Sequence, residues 1–169
     1  LSYIGGTLTI TENNVLTNVN GISADSIFSL IILSNPALTN LNGLASLSGA
    51  QTIQIESNTA LTDVSGLSSL ELCFLIFIRN NPALTTIDDL TTLQISYIFL
   101  IENNSSLQSI SGFSSLFGTL GLAISNNDAL VSIGTFPAIQ SLGGIVLENN
   151  DALTNIGTYP VLDSIGFIY

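Results

Sequence analysis

The sequence has no histidine, no methionine and no tryptophan, and it contains one cysteine and one basic residue among 169 residues. There is no histidine, and Cys73 is the single cysteine. The sequence therefore lacks the residues needed for zinc sites, for disulfides within the chain and for most nucleophile–base pairs. Arg79 is the only cation, which argues against nucleic-acid binding, because phosphate contacts depend on Lys and Arg. We therefore expect a protein that is not an enzyme and that carries no cofactor and no metal.

The chain also lacks an apolar run of the roughly 18 residues that a membrane-spanning helix needs, although 46% of its residues are hydrophobic. Its 12 acidic residues against one base give a net charge of −11. We expect this charge to keep an apolar-rich chain soluble and to disfavour anionic membrane surfaces. Frequent Ser, Thr, Asn and Gly without any Lys predict an extracellular or cell-surface location without membrane insertion.

What the sequence does contain is one motif, repeated over almost its whole length: an alternating apolar stretch, an asparagine, and apolar residues three, six and nine positions later. The anchoring asparagines are Asn13, Asn35, Asn58, Asn81, Asn104, Asn127 and Asn150. Their spacing is 22 residues once and 23 residues thereafter. A fixed period of this length is the signature of a solenoid. We number the coils one to seven by these asparagines.

The apolar residues five and three positions before each asparagine alternate with other residues, which is the period of a strand. One strand per coil, stacked in register, predicts a mainly β, parallel β-solenoid of about seven coils. The remaining part of each coil favours short extended segments and tight corners over helices. We expect one domain over 1–169, with a partial repeat at 1–7, coils beginning near 8, 30, 53, 76, 99, 122 and 145, and a truncated further strand starting at 168–169.

Each asparagine is predicted to be buried where its strand ends and the chain turns inward. A side-chain amide can both donate and accept, so stacked asparagines would satisfy peptide groups that the turn leaves unpaired. We expect the seven to form a structural ladder and not a ligand site. Glycines recur eight residues later, at Gly21, Gly43, Gly66 and Gly112, where we expect a corner that needs positive φ.

The pattern Leu-x-Ile-x-x-Asn with spaced leucines resembles the leucine-rich repeat. Here Asn-x-x-Leu follows the strand, as in Asn81-Pro82-Ala83-Leu84, and the continuation Leu-Thr-Asp-Val-Ser-Gly-Leu covers 61–67. These features are most similar to the receptor L-domain-like branch of cell-surface proteins. The resemblance implies a right-handed solenoid with few or no helices and an extracellular, non-enzymatic binding or wall-associated role. It transfers no ligand site.

Outward positions of the main sheet predict a candidate interface. Leu75, Phe77, Ile98 and Leu100 are expected to form an apolar cluster on coils four and five, to which Ile31 adds at coil two. Contiguous outward apolar residues usually mark an interface. The alternative is that a flanking loop covers them.

Arg79 falls between Glu56 and Glu102 in its column, so we expect a surface ion-pair trio worth about 1 kcal/mol or less. Cys73 is expected to be a small, semi-buried filler. A column of threonines four residues after the asparagines suggests ice binding, but its interruption by Gln108 and Val131 favours an ordinary polar face.

The overlapping sequons of Asn103-Asn104-Ser105-Ser106 make Asn103 a candidate glycosylation site, since Asn104 belongs to the ladder. Asp128 and Asp151 occupy equivalent turn positions, which suggests a weak calcium site as an alternative. The glycine- and aspartate-dense loops of calcium-binding solenoids are absent from the sequence, which disfavours that interpretation.

Two functional hypotheses follow. The ends carry no polar cap, and Phe167, Ile168 and Tyr169 would offer an apolar surface. The first hypothesis is therefore a structural or adhesive protein whose partner is itself, associating end to end into a fibre or as part of a longer surface array. The second is a ligand-binding ectodomain that recognises another extracellular protein or a glycan around Phe77 and Leu100.

Overall fold

Each coil contributes one strand to a parallel sheet of seven strands in the computed structural model, which describes residues 3–167. In chain order the strands are β1 (Tyr3–Thr11), β2 (Ser26–Leu33), β3 (Gly49–Glu56), β4 (Leu72–Arg79), β5 (Ile98–Glu102), β6 (Ser109–Ile110), β7 (Gly118–Thr119), β8 (Gly121–Ser125), β9 (Ser132–Ile133), β10 (Ser141–Leu142), β11 (Ile145–Glu148) and β12 (Ser164–Ile165). The main sheet has the order β1-β2-β3-β4-β5-β8-β11. Neighbouring strands come from consecutive coils, so the predicted parallel β-solenoid is confirmed.

The rest of each coil is built from short pieces, as the spacing predicts. The two-residue strands pair in the orders β12-β10-β7 and β6-β9. Single turns of 3-10 helix span Asn42–Leu44 and Ser65–Leu67. Within residues 3–167, no helix is long and apolar enough to cross a membrane.

The core lies inside the coils and is filled by the repeating apolar columns. In the strands, pairs such as Leu30 and Ile32, or Ile76 and Ile78, are fully buried. The leucines three residues after the asparagines are fully buried from coil two to coil six. In the first and last coils several of these residues are only partly buried, and Ile156 of the last coil is 47% exposed.

In coils five to seven aromatic residues replace aliphatic ones in the core. Phe99 meets Phe113 edge to face, with 4.9 Å between ring centroids. Phe113, Phe136 and Tyr159 then stack at 5.4 and 5.2 Å. The column nine residues after the asparagine thus forms a continuous aromatic stack, a geometry that stabilises beyond the apolar area it buries.

The asparagines form the predicted ladder. The Oδ1 atom of Asn81 accepts from the backbone N–H of Asn58 at 3.0 Å. Its Nδ2 atom donates to the carbonyl oxygen of Ile55 in the preceding coil at 3.0 Å, and to the carbonyl oxygen of Arg79 in its own coil at 2.9 Å. Its own backbone N–H donates to Oδ1 of Asn104 at 3.0 Å. Each amide therefore joins two neighbouring coils.

The prediction of burial holds for the five asparagines of coils two to six. It is wrong for Asn13, which is exposed, and for Asn150, which is half-buried, because each has a neighbouring coil on one side only.

The residue before every ladder asparagine has a left-handed backbone conformation. The φ angles lie between 51° and 59° at Glu12, Ser34, Ser57, Asn80, Asn103, Asn126 and Asn149. This turn ends the strand and directs the next side chain inward. Asparagine tolerates positive φ better than most residues, which accounts for its presence at this position in coils four to seven.

The predicted role of the corner glycines is wrong. Among Gly21, Gly43, Gly66 and Gly112, none has positive φ; the glycine that does is Gly157, with φ +80°. Glycine is needed for a different reason, because the backbones of adjacent coils touch at this corner. A Cβ atom on Gly43 or Gly66 would lie 1.8 or 1.9 Å from a carbonyl oxygen of the preceding coil.

We expect Asn81→Ala to lower the free energy of unfolding by about 3 kcal/mol, because it leaves the buried N–H of Asn58 without its acceptor and removes donors from two carbonyls. Urea unfolding followed by circular dichroism measures the loss. The exposed Asn14→Ala is the control and should change stability little. Equal effects of the two substitutions would show that the ladder does not stabilise the coils.

The glycine corner offers a matched pair. Gly66→Ala should destabilise the protein by several kcal/mol, since overpacking against backbone cannot be relieved by a rotamer change. Gly21→Ala, in the same column of coil one, has nothing within 4 Å of the added Cβ and should be neutral or slightly stabilising. Thermal unfolding measures the stability of both variants. If Gly66→Ala left the stability unchanged, this would contradict the close approach of the coils.

Candidate interaction surface

The outer face of the main sheet brings four predicted interface residues together. Leu75 pairs with Ile98, and Phe77 pairs with Leu100, on neighbouring strands β4 and β5. Leu75, Phe77 and Leu100 are half-buried, and 45% of the Ile98 surface is exposed. Directly opposed apolar residues on one sheet face lie close enough to form a continuous surface.

The sequence pattern predicted that Ile31 extends this cluster, but in the structure it does not. Its neighbours in the sheet are Thr9 and Gln54. Gln54 separates Ile31 from Phe77, and it donates a hydrogen bond to Glu56 at 3.0 Å. The apolar cluster therefore begins at coil four.

The structure adds apolar residues that alternation alone did not predict. Between the buried Cys73 and Ile76, both Phe74 and Leu75 are partly exposed, so the strict in–out pattern breaks there. The Phe74 ring stacks on Tyr97 of the next coil, with centroids 4.8 Å apart. The column continues to Leu120, which is 66% exposed. The sequence could have predicted this column, because one position of the repeat, seven residues before the asparagine, is occupied by Phe28, Phe74, Tyr97 and Leu120.

We call the outward surface formed by Leu75, Phe77, Ile98, Leu100, Phe74, Tyr97 and Leu120 the apolar face. Its borders include Phe117, which is 46% exposed.

A cleft interrupts this surface where side chains are missing. Gly121 and Gly144 follow Ile98 in its column, and space remains open above Gly121. The Phe167 ring lies over Gly144, so that a Cβ atom there would be 2.4 to 2.6 Å from ring atoms. The resulting cleft measures about 250 Å³. We call it the Gly121 cleft; it is lined by Ile98, Phe99, Leu120, Gly121, Leu122, Ala123, Gly144, Val146 and Phe167.

Phe167 therefore joins Ile98 at one site, whereas the sequence suggested an end surface. The other two predicted end residues, Ile168 and Tyr169, lie outside the described residues.

Arg79 forms an ion pair with one glutamate and not the predicted trio. Its Nη2 atom lies 2.7 Å from Oε2 of Glu56. Glu102, its neighbour in the sheet, instead accepts a long hydrogen bond of 3.5 Å from Ser125. The guanidinium also lies over the Phe77 ring, 5.7 Å from its centroid, a cation–π contact. The single cation is thus neutralised at the edge of the apolar face.

Partial burial works to raise the pKa of Glu56, but hydrogen bonds from Gln54, Arg79 and Asn80 and the charge of Arg79 outweigh it and lower the pKa below its usual value. The stabilisation from this carboxylate is present above the ordinary pKa of glutamate and is lost as the pH falls through the lowered pKa. It is a surface pair, and its contribution is small.

Other residues singled out by the sequence have structural contacts. The hydroxyls of Thr39, Thr62 and Thr85 donate to carbonyls of the preceding coil at 3.1 to 3.3 Å. This accounts for the threonine column without a ligand. Asn103 is exposed beside the fully buried Asn104, and its glycosylation stays a prediction.

The acidic residues do not converge on a metal site in the part of the chain that the structure describes: no group of three or more His, Cys, Asp or Glu could hold an ion. Asp88 accepts from the hydroxyls of Ser109 and Ser111 at 3.0 and 2.7 Å and from the Ser111 backbone N–H at 2.9 Å. It therefore ties coil four to coil five. Burial, with the charges of Asp63 and Asp88, raises the pKa of the neighbouring Asp89.

Cys73 is fully buried and pairs with Ala50 in the sheet. Burial raises the pKa of its thiol to about 12. The thiol contacts the carbonyl of Leu75 at 3.4 Å. A neutral, enclosed thiol of this kind is a poor nucleophile.

Comparisons with protein-family models, with curated proteins and with solved structures found no match for this chain. The fold alone therefore defines its class: a β-solenoid repeat protein with an asparagine ladder inside and a partly apolar main sheet outside.

We expect Cys73 to react with a disulfide reagent at mildly alkaline pH roughly a hundredfold more slowly than an exposed thiol, because the thiolate is rare and enclosed. The control is Val15→Cys in a Cys73→Ala background, since Val15 is 88% exposed. Urea should raise the Cys73 rate as the protein unfolds. Rapid labelling of the native protein would contradict the buried position.

Proposed function

We propose that the protein is a non-catalytic, extracellular adhesive or recognition module that binds another protein through the apolar face and the Gly121 cleft. The observation that carries this proposal is the exposure of contiguous apolar side chains across coils four to six. Tyr97 and Leu120 are 48% and 66% exposed. Patches of this kind on a soluble protein usually mark interaction sites.

The predicted alternative was that a loop covers these residues. Within residues 3–167 the connections between strands remain inside their own coils and leave the apolar face open. A partner that covers this face would remove it from water, which is favourable by about 25 cal/mol per Å² of apolar area.

The chemistry of the Gly121 cleft favours binding over catalysis. Its lining consists of aliphatic, aromatic and glycine residues, with no titratable side chain among them. Catalytic sites require such groups within reach of a substrate. A cleft of this composition fits an apolar side chain of a partner.

Two further parts of the proposal rest on the sequence. The extracellular location is supported by the composition, and membership of the leucine-rich-repeat class is supported by the Asn-x-x-Leu motif. Both are proposals.

End-to-end association also stays a prediction. Leu8 and Ile10 of coil one and Leu147 and Leu153 of coil seven are only partly buried, unlike their counterparts between. A further coil placed against them, from the same chain or from another molecule, would cover these side chains.

Binding at the apolar face can be tested with a random peptide library displayed on phage. We expect wild-type protein to retain peptides, and Phe77→Glu or Gly121→Leu to weaken the selected peptides about tenfold or more, as loss of a central contact does. Gly121→Leu fills the cleft from a position where a side chain has space.

Gly6→Leu is the matched control, because Gly6 lies on a strand of the same sheet and also has nothing within 4 Å of an added Cβ. It should bind as the wild type does. Circular dichroism melting shows whether each variant is folded. Peptides that bind wild type, Phe77→Glu and Gly121→Leu equally would place binding elsewhere.

A further inference from the structure

We propose that the partner is a cationic protein segment, one that inserts an apolar side chain into the Gly121 cleft and carries Lys or Arg on both sides of it. This inference rests on the proposed function and specifies the partner of the same site. It follows from the charges that border the cleft and from the lining of the cleft itself.

One border of the cleft is acidic because of the strand register. Glu102 and Glu148 stand two residues after Leu100 and Val146 on β5 and β11. Residues two apart in a strand share a face and lie about 6.6 Å apart. The two carboxylates therefore follow the cleft along its length, with Ser125 of β8 between them.

The opposite border also carries acids. Glu71 and Asp163 are both exposed and stand at the two ends of one column, whose members are 23 residues apart: Glu71, Gln94, Phe117, Gln140 and Asp163. The backbone N–H of Asp163 bonds to the carbonyl of Gln140 at 2.9 Å, which fixes this column in the stack. The apolar cleft thus has Glu102 and Glu148 along one side, and on the other side a column that carries an acid at each end.

No free cation opposes these acids. Arg79 is the only basic residue of the sequence, and Glu56 holds it at 2.7 Å. With a net charge of −11, the surface attracts cations and repels anions over about a Debye length, roughly 8 Å at physiological salt.

These charges decide between kinds of partner. A second copy of the chain would bring −11 against −11, and like-charge juxtaposition disfavours such a complex. A neutral glycan needs side-chain donors and acceptors, which the lining of the Gly121 cleft does not offer. A peptide segment that combines an apolar anchor with flanking Lys or Arg complements both the cleft and its borders.

The test is the charge of the peptides that the random library yields after depletion on Gly121→Leu. We expect them to combine a bulky apolar residue with excess Lys or Arg. Synthetic copies should bind the wild type about tenfold more tightly than the triple variant Glu102→Gln, Glu148→Gln, Asp163→Asn, because each lost pair contributes modestly. Raised salt should remove most of this difference.

A control triple variant, Glu12→Gln, Asp128→Asn, Asp151→Asn, changes the net charge equally at exposed positions that do not line the cleft. It should keep most of the affinity. Equal weakening by both triple variants would overturn a local role for the border acids.

The failures are distinguishable. Selected peptides that are neutral or acidic, yet lost on Gly121→Leu, would overturn the cationic partner and leave the proposed function standing. A library that yields no peptide sensitive to Gly121→Leu would overturn both. Retention of neutral oligosaccharides in place of peptides would overturn the cationic partner in favour of a glycan. Dimers in sedimentation velocity that Gly121→Leu abolishes would overturn it in favour of a second copy.

Discussion

Satisfying the peptide groups at the end of each strand is the constraint on which this structure depends. The chain turns there through a residue with positive φ, and the turn leaves N–H and carbonyl groups facing an apolar interior. Leaving such groups unpaired would cost about 1–3 kcal/mol each. The asparagine amide pairs them, but it does so by reaching into the preceding coil and accepting from it. One coil cannot complete this arrangement alone, which makes the stack the folding unit.

The ladder fixes the spacing of the coils, and the spacing constrains every other column. Because adjacent coils are only one strand spacing apart, their backbones approach so closely at one corner that Gly43 and Gly66 have no room for a Cβ atom. In the interior the same spacing lets aromatic rings of successive coils stack on one another, from Phe113 through Phe136 to Tyr159. Small polar side chains, such as Thr62 and Asp88, then join coils at the surface by hydrogen bonds.

The repeat made the ladder, the core columns and the pairing of Phe77 with Leu100 predictable, because a constant period determines which residues are neighbours in a stacked sheet. Features that depend on three-dimensional approach were not predictable. The glycine corner requires knowing how near two backbones come. The choice of Glu56 over Glu102 by Arg79 is a matter of side-chain conformation, and the exposure of both Phe74 and Leu75 breaks the alternation that the prediction assumed.

Glycine serves two opposite purposes in this molecule, and the contrast explains where a binding site can arise. At the corner, Gly66 removes a side chain so that backbones can touch. On the main sheet, Gly121 removes a side chain and leaves open space. Because the inner columns are committed to the core and the ladder, the solenoid can acquire a concave surface only by changing side-chain size along an outer column. One outer column changes in this way along successive coils: Ile98, Gly121, Gly144 and Phe167. The change in side-chain size forms a cleft without an inserted loop.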